Sequence, residues 1–103
     1  MTMPVPCTPD SYRPFVNSDF LVTDQNGTAH PFRLEEIKAH IEDDGQSCFS
    51  LFFSHAGDTW PQQVYPIQHP QLGEFTLYLV PIRKRQNGIL YEAVFNLLKD
   101  QAQ

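Results

Sequence analysis

From Phe15 onward the chain alternates apolar and polar residues with a period of two, in short runs broken by Gly, Pro, Asn and Asp. That period puts successive side chains on opposite faces of a strand. The run "CFSLFFS" (48–54) sets Phe49, Leu51 and Phe53 against Cys48, Ser50, Phe52 and Ser54, a strand with one strongly apolar face. "FLVTDQNGTAHPF" (20–32) predicts a hairpin around Asn26-Gly27, a dipeptide that readily supplies two residues with positive φ. "RLEEIKAHIEDDG" (33–45) fits two periods: Leu34, Ile37 and Ile41 stand at helical spacing, while Ile37, Ala39 and Ile41 alternate with charged or polar neighbours. Because "DDGQ" leads directly into the Phe-rich strand, a strand and hairpin are expected there. "DTWPQQVYPIQHPQLG" (58–73) holds three Pro and one short strand near Gln63–Gln68, which Pro66 makes an edge or bulged strand.

The last apolar stretch, Leu77 to Asn96, flanks a basic turn. A two-residue turn at Asn87-Gly88 predicts Arg83 directly opposite Glu92, a structural pair contributing about 0.2–1 kcal/mol. One face then carries Tyr78, Val80, Ile82, Tyr91, Ala93, Phe95 and Leu97 and is the expected core face. The other carries Leu77, Leu79, Leu90 and Val94 around the Arg83–Glu92 pair. It is too apolar to stand bare, so the N-terminal arm, the 33–42 segment or another protein is expected to cover it. With Trp60, those four leucine and valine positions form the candidate partner surface; Trp60, in the loop "GDTWPQQ", either caps a barrel end or anchors the partner.

Residues 1–14 carry four Pro and read as an extended arm, with "TPDS" able to form one helical turn that has Pro9 at its first helical position. Tyr12 and Phe15 would anchor that arm on a neighbouring surface. The β domain is expected over 15–98 and a polar tail over 99–103. At 103 residues the chain is long enough for one modest core. A net charge of −5, from twelve acids and seven bases, disfavours a nucleic-acid partner. No apolar run approaches the roughly 18 residues of a membrane-spanning helix, and the N-terminus lacks the pattern of a signal peptide, so a cytoplasmic protein without a membrane partner is expected. Cys7 and Cys48 are spaced unlike a zinc or thioredoxin motif and are expected as free thiols.

Catalytic and metal chemistry find little to work with. His30, His40, His55 and His69, with Asp43, Asp44 and Asp58, show no HxH or HxxxH spacing, and no metal or cofactor is expected. There is no Gly-x-Ser-x-Gly and no Gly-rich phosphate loop, and Cys48 beside a core strand would be inert without a base. Glu35-Glu36 and Asp43-Asp44 would point apart on a strand. His69, before Pro70 in "HPQLG", is expected to bond its own turn backbone. The competing expectation is a small-ligand or enzyme pocket at a barrel mouth near Trp60, Tyr65 and His69.

The blocks "FSLFF" (49–53), "QxxY" (Gln62 to Tyr65), "HPQLG" (69–73), "LYLVP" (77–81) and "YEAVFN" (91–96) carry a further signal. Over about Phe15 to Asn96 the chain resembles an uncharacterised family of small bacterial proteins, a domain of unknown function whose members are often encoded beside phage-tail-collar-like proteins. The resemblance implies no activity, substrate or cofactor; it implies an accessory of a tail-fibre-like assembly. The expected fold is mainly β, a small antiparallel barrel or sandwich of roughly five to seven strands. The expected function is non-enzymatic protein–protein interaction, with homodimerisation through the second apolar face or the arm as another way of covering that face.

Overall fold

The computed structural model describes residues 9–41 and 46–98. Six strands form a closed antiparallel barrel in the order β1-β2-β3-β6-β5-β4. They are β1 (Asp19–Thr23), β2 (Ala29–Ile41), β3 (Gln46–His55), β4 (Gln63–His69), β5 (Gly73–Arg85) and β6 (Gly88–Leu98). The period-two runs of the sequence are the strands, and 33–41 lies within β2 as a strand. Proline opens a short helix, α1 (Pro9–Tyr12), followed by a single 3-10 turn over Arg13–Phe15. The single helical turn that the sequence allows within the expected extended arm forms, with Pro9 at its first position. Cys7, Asp43, Asp44 and the tail from residue 99 lie outside the described residues; Cys48, on β3, is a free thiol.

Alternate residues of every strand fill the barrel. Phe20 and Val22 enter from β1, Phe32 and Leu34 from β2, Phe49, Leu51 and Phe53 from β3, and Tyr65 and Ile67 from β4. Each such side chain withdrawn from water stabilises the fold by about 1.5–3 kcal/mol at most. At one end Tyr12, fully buried, lies among Phe20, Phe49, Phe75 and Phe95, with ring centroids 6.0–6.4 Å apart. Tyr12 therefore anchors the N-terminal segment on this chain's own barrel. Trp60 closes the other end.

Two β-bulges decide which side chains face inward. On β2 the pairing with β3 shifts between Leu34 and Glu36, so Glu35 is the extra residue. Leu34 and Ile37 both reach the core across that bulge, which is the physical origin of their helix-like spacing. On β5 the pairing with β6 shifts between Pro81 and Arg83, leaving Ile82 unopposed beside a proline that cannot donate to the ladder.

The second bulge corrects the expected hairpin. Arg85 pairs with Gly88, so Gln86 and Asn87 form the turn and Gly88 is already in β6. Beyond Ile82 the register has slipped by one, and a one-residue slip exchanges the two faces of a strand. Phe75, Leu77 and Leu79 consequently line the core, with Leu77 and Leu79 4% and 1% exposed. Tyr78 and Ile82 face solvent and Val80 is half-buried. On β6 the expected inward set holds at Tyr91 and Ala93, with Phe95 packed against the core. The Arg83–Glu92 pairing is not formed: Arg83 lies opposite Leu90, and Glu92 lies opposite Val80 and Phe52.

Candidate functional site

Leu77, Leu79 and Leu90 are buried and leave no surface for a partner, whereas Val94 is 56% exposed. Among the described residues, the large apolar side chains that reach solvent are Leu21 on β1 and a group of four on the outer face of β4, β5 and β6. Val64 and Tyr78 stand opposite each other in the ladder, 57% and 50% exposed. Along β5 the same row continues to Val80, with exposed Ile82 in the bulge beyond it. Val80 is opposite Glu92, and Val94 stands two residues beyond Glu92 on the same face of β6. Next to Glu92 on β3 is the half-buried Phe52, whose ring lies under the Lys38 ammonium at 5.4 Å. The result is an apolar patch spread over neighbouring strands around one half-buried carboxylate. Among the described residues Glu92 has no ion-pair partner.

The barrel mouth at the Trp60 end is aromatic. Trp60 meets Phe32 and Tyr65 with centroids 5.0 and 5.3 Å away, and its backbone N–H donates to the Tyr91 hydroxyl at 2.8 Å. The Tyr65 hydroxyl donates to the Pro61 carbonyl. Burial raises both tyrosine pKa values above the ordinary phenol value. His55 stacks on Phe32 at 4.3 Å and donates its Nδ1–H to the Pro31 carbonyl, leaving Nε2 as the acceptor in the neutral ring. Burial lowers the His55 pKa, with the neighbouring His30 acting in the same direction. His30 Nε2 lies 2.9 Å from the Asp24 carboxylate and stands edge-on to Trp60.

Two openings flank this mouth. One, about 230 Å³, is lined by Asp24, His30, Trp60 and Tyr65 with the surrounding loop residues. The other, about 520 Å³, lies between the β5–β6 turn and the Glu35 bulge, where Arg85 bonds Glu35 at 2.7 Å. That bond, first, and one from Ser54 hold the Glu35 carboxyl below its ordinary pKa.

Trp60 and Tyr65 thus share a cavity, but His69 does not join them. Four residues of strand, roughly 13 Å, separate Tyr65 from His69, and His69 sits at the opposite end against Phe15 and Phe20, at 4.6 and 4.5 Å. Its Nδ1 accepts the N–H of Gln71, the turn bond expected from the sequence. Its Nε2 is then free to donate to the Ser18 hydroxyl at 3.3 Å, and that hydroxyl donates to the Phe15 carbonyl. Burial lowers the His69 pKa as well. His69 ties the β4–β5 turn to the start of β1, a structural task. Among the described residues no group of three His, Cys, Asp or Glu converges to hold a metal, and no helix is long and apolar enough to cross a membrane.

Tyr78, Val64 and Ile82 as surface residues, and the His30–His55–Trp60 grouping, went unread in the sequence. A proline inside an apolar strand is a bulge signal, and admitting one extra residue after Pro81 would have turned Tyr78 outward. The histidine grouping brings together residues from β2, β3 and a loop, and no local spacing announces it. Among curated proteins and among solved structures, nothing matches this chain. Residues 7–95 match a protein family, and the chain belongs to it: the family described as Domain of unknown function (DUF6916).

Proposed function

We propose that this chain is a non-enzymatic protein–protein interaction module, an accessory or assembly subunit for a tail-collar-like protein in the bacterial cytoplasm. The observation that carries the reading is the outer apolar face: Val64, Tyr78, Ile82 and Val94 lie exposed on adjoining strands of a barrel whose interior is already filled. Single exposed apolar residues are ordinary; several on neighbouring strands, with a tyrosine among them, have the composition of an interface centre. The choice of a tail-collar-like partner follows from what the resemblance described above implies.

The test is co-purification of the full chain with a tail-collar-like protein, followed by the affinity of the Tyr78→Asp variant. A complex weakened by about tenfold or more in a variant that keeps its Tm supports the reading. Absence of any complex, or a complex indifferent to Tyr78→Asp and Val94→Asp alike, rejects it. A concentration-dependent dimer of the chain alone, lost in the same variants, would assign the face to self-association instead.

A second reading, a small-ligand site at the mouth, draws support from the cavity beside Trp60 and Tyr65. Trp60 is the single tryptophan of the chain, so its fluorescence is a direct probe of occupancy. No change across a library of small aromatic and cationic compounds would remove that reading.

A further inference from the structure

The barrel wall is incomplete at the Tyr12 end. Val80–Glu92 is the last pair between β5 and β6, and from there β6 runs on to Leu98 against β3 alone. Among the described residues, the backbone of Ala93–Leu98 therefore has no strand partner on the side facing β5. A matching situation exists across β3. The β1–β2 ladder stops at Arg33, and β2 continues through Glu36–Ile41 with β3 as its partner.

The two open edges differ in chemistry. The β2 edge bears exposed Glu36 and Lys38, and α1 packs against β2. Charged side chains and a covering helix are the usual devices that stop a sheet edge from recruiting another strand. The β6 edge, Ala93 to Leu98, contains no charged residue. It is bordered on the outside by Val94 and, across the opening, by exposed Tyr78. Glu92 stands at the point where β5 and β6 part, half-buried and without an ion-pair partner among the described residues.

We infer, resting on the interaction reading above, that the partner docks by strand addition: an extended segment pairs with the β6 edge along Ala93–Leu98. Unpaired N–H and C=O groups supply affinity in this mode, and alternate side chains supply specificity. The outward residues of such a segment lie beside Val94 and Tyr78 and are therefore aliphatic. At the end nearest the turn, a Lys or Arg of the segment reaches Glu92, matching the net charge of −5 on this chain.

The test uses the purified full chain and a ten-residue peptide selected against it from a displayed random library. Amide hydrogen exchange is then read with and without that peptide. In the free chain, the amides of 93–98 that point away from β3 should exchange fast. With peptide at ten times its Kd they should slow by about tenfold, while those of Glu36–Ile41 stay unchanged. The selected peptides should alternate aliphatic residues and carry one base, and Glu92→Gln should weaken them about threefold at low salt. Protection confined to amides around Val64 and Tyr78, with none at 93–98, overturns strand addition. So does failure to select any peptide, or an edge already protected in the free chain by its own residues or by a second copy. None of those results touches co-purification with the tail-collar-like protein, so loss of the docking mode and loss of the interaction reading are separately visible.

Discussion

The chain contains the dipeptide Asn-Gly twice, at 26–27 and 87–88, and the fold uses the two copies differently. In the first, β1 and β2 are joined by a five-residue loop, 24–28, closed at Thr23–Ala29. Asp24 organises it: one carboxylate oxygen accepts the N–H groups of Asn26 and Thr28, the other meets His30, and Gly27 alone takes the positive φ, 84°. In the second, the turn moves one residue back and Gly88 enters β6 with φ 150°. A side chain at Gly88 would meet the His55 carbonyl oxygen at 2.3 Å, while Gly27 has open space around it. The first loop is set by neighbours in sequence and the second by β3 and by Glu35 on β2, which bonds Arg85. Local chemistry can be read from a short window; a turn held by distant strands cannot.

The sharpest way to break this comparison is to put the same residue in both glycine positions. Gly88→Val should cost about 3 kcal/mol or more in chemical denaturation, or prevent folding, because both the backbone angle and the His55 carbonyl oppose it. Gly27→Val should cost only about 1–2 kcal/mol, since there the strain is in φ alone. Equal losses at the two sites would show that Gly88 is not pressed against β3.

Acid separates the loops more gently. Asp24 is held below its ordinary value near 3.8, chiefly by the Thr28 N–H, and Glu35 below 4.5, chiefly by Arg85. Both carboxylates bind protons less readily folded than unfolded, so their contribution is present above those ordinary values and lost as pH falls through the folded ones. Asp24→Asn and Glu35→Gln should each flatten the decline of Tm below about pH 4.5, and hydrogen exchange should place the change in the β1–β2 loop for one and at the β5–β6 turn for the other. An earlier decline belongs to His55 and His69, whose pKa values burial lowers from 6.5: stability should begin to fall as pH drops below 6.5. His55→Phe and His69→Phe should each reduce that slope in a pH series of urea titrations.

The smallest effect is expected at Glu92. With Arg83 opposite Leu90, Glu92→Gln should change stability by at most about 1 kcal/mol. A loss of several would reveal a buried network that the strand register does not contain.

Most of the strands were legible because period-two alternation persists in the burial of Asp19–Thr23 and Gln63–His69 and, on β3, at Phe49, Leu51 and Phe53. Reading failed where an extra residue intervenes. Glu35 makes part of β2 look helical, and Ile82 exchanges the faces of β5, so Leu77 and Leu79 were expected on the surface and Tyr78 in the core. A bulge is one residue long, and its cause lies in the partner strands and in a neighbour such as Pro81, not in a repeating pattern. The candidate interaction face inherited that error at Leu77 and Leu79 on β5; on β6 Val94 is exposed as expected, whereas Leu90 is buried.

The strand order carries a consequence for how the protein is made. β6, the last of the six strands to be synthesised, lies between β3 and β5, and Phe95 on it stacks on Phe49 and touches Tyr12. Neither the ring of strands nor the seat of Tyr12 is complete until β6 has emerged. The nascent protein therefore holds its Phe-rich β3 without a second neighbour until β6 emerges, exposed to aggregation, and closes at the millisecond-to-second pace of folds rich in distant pairings.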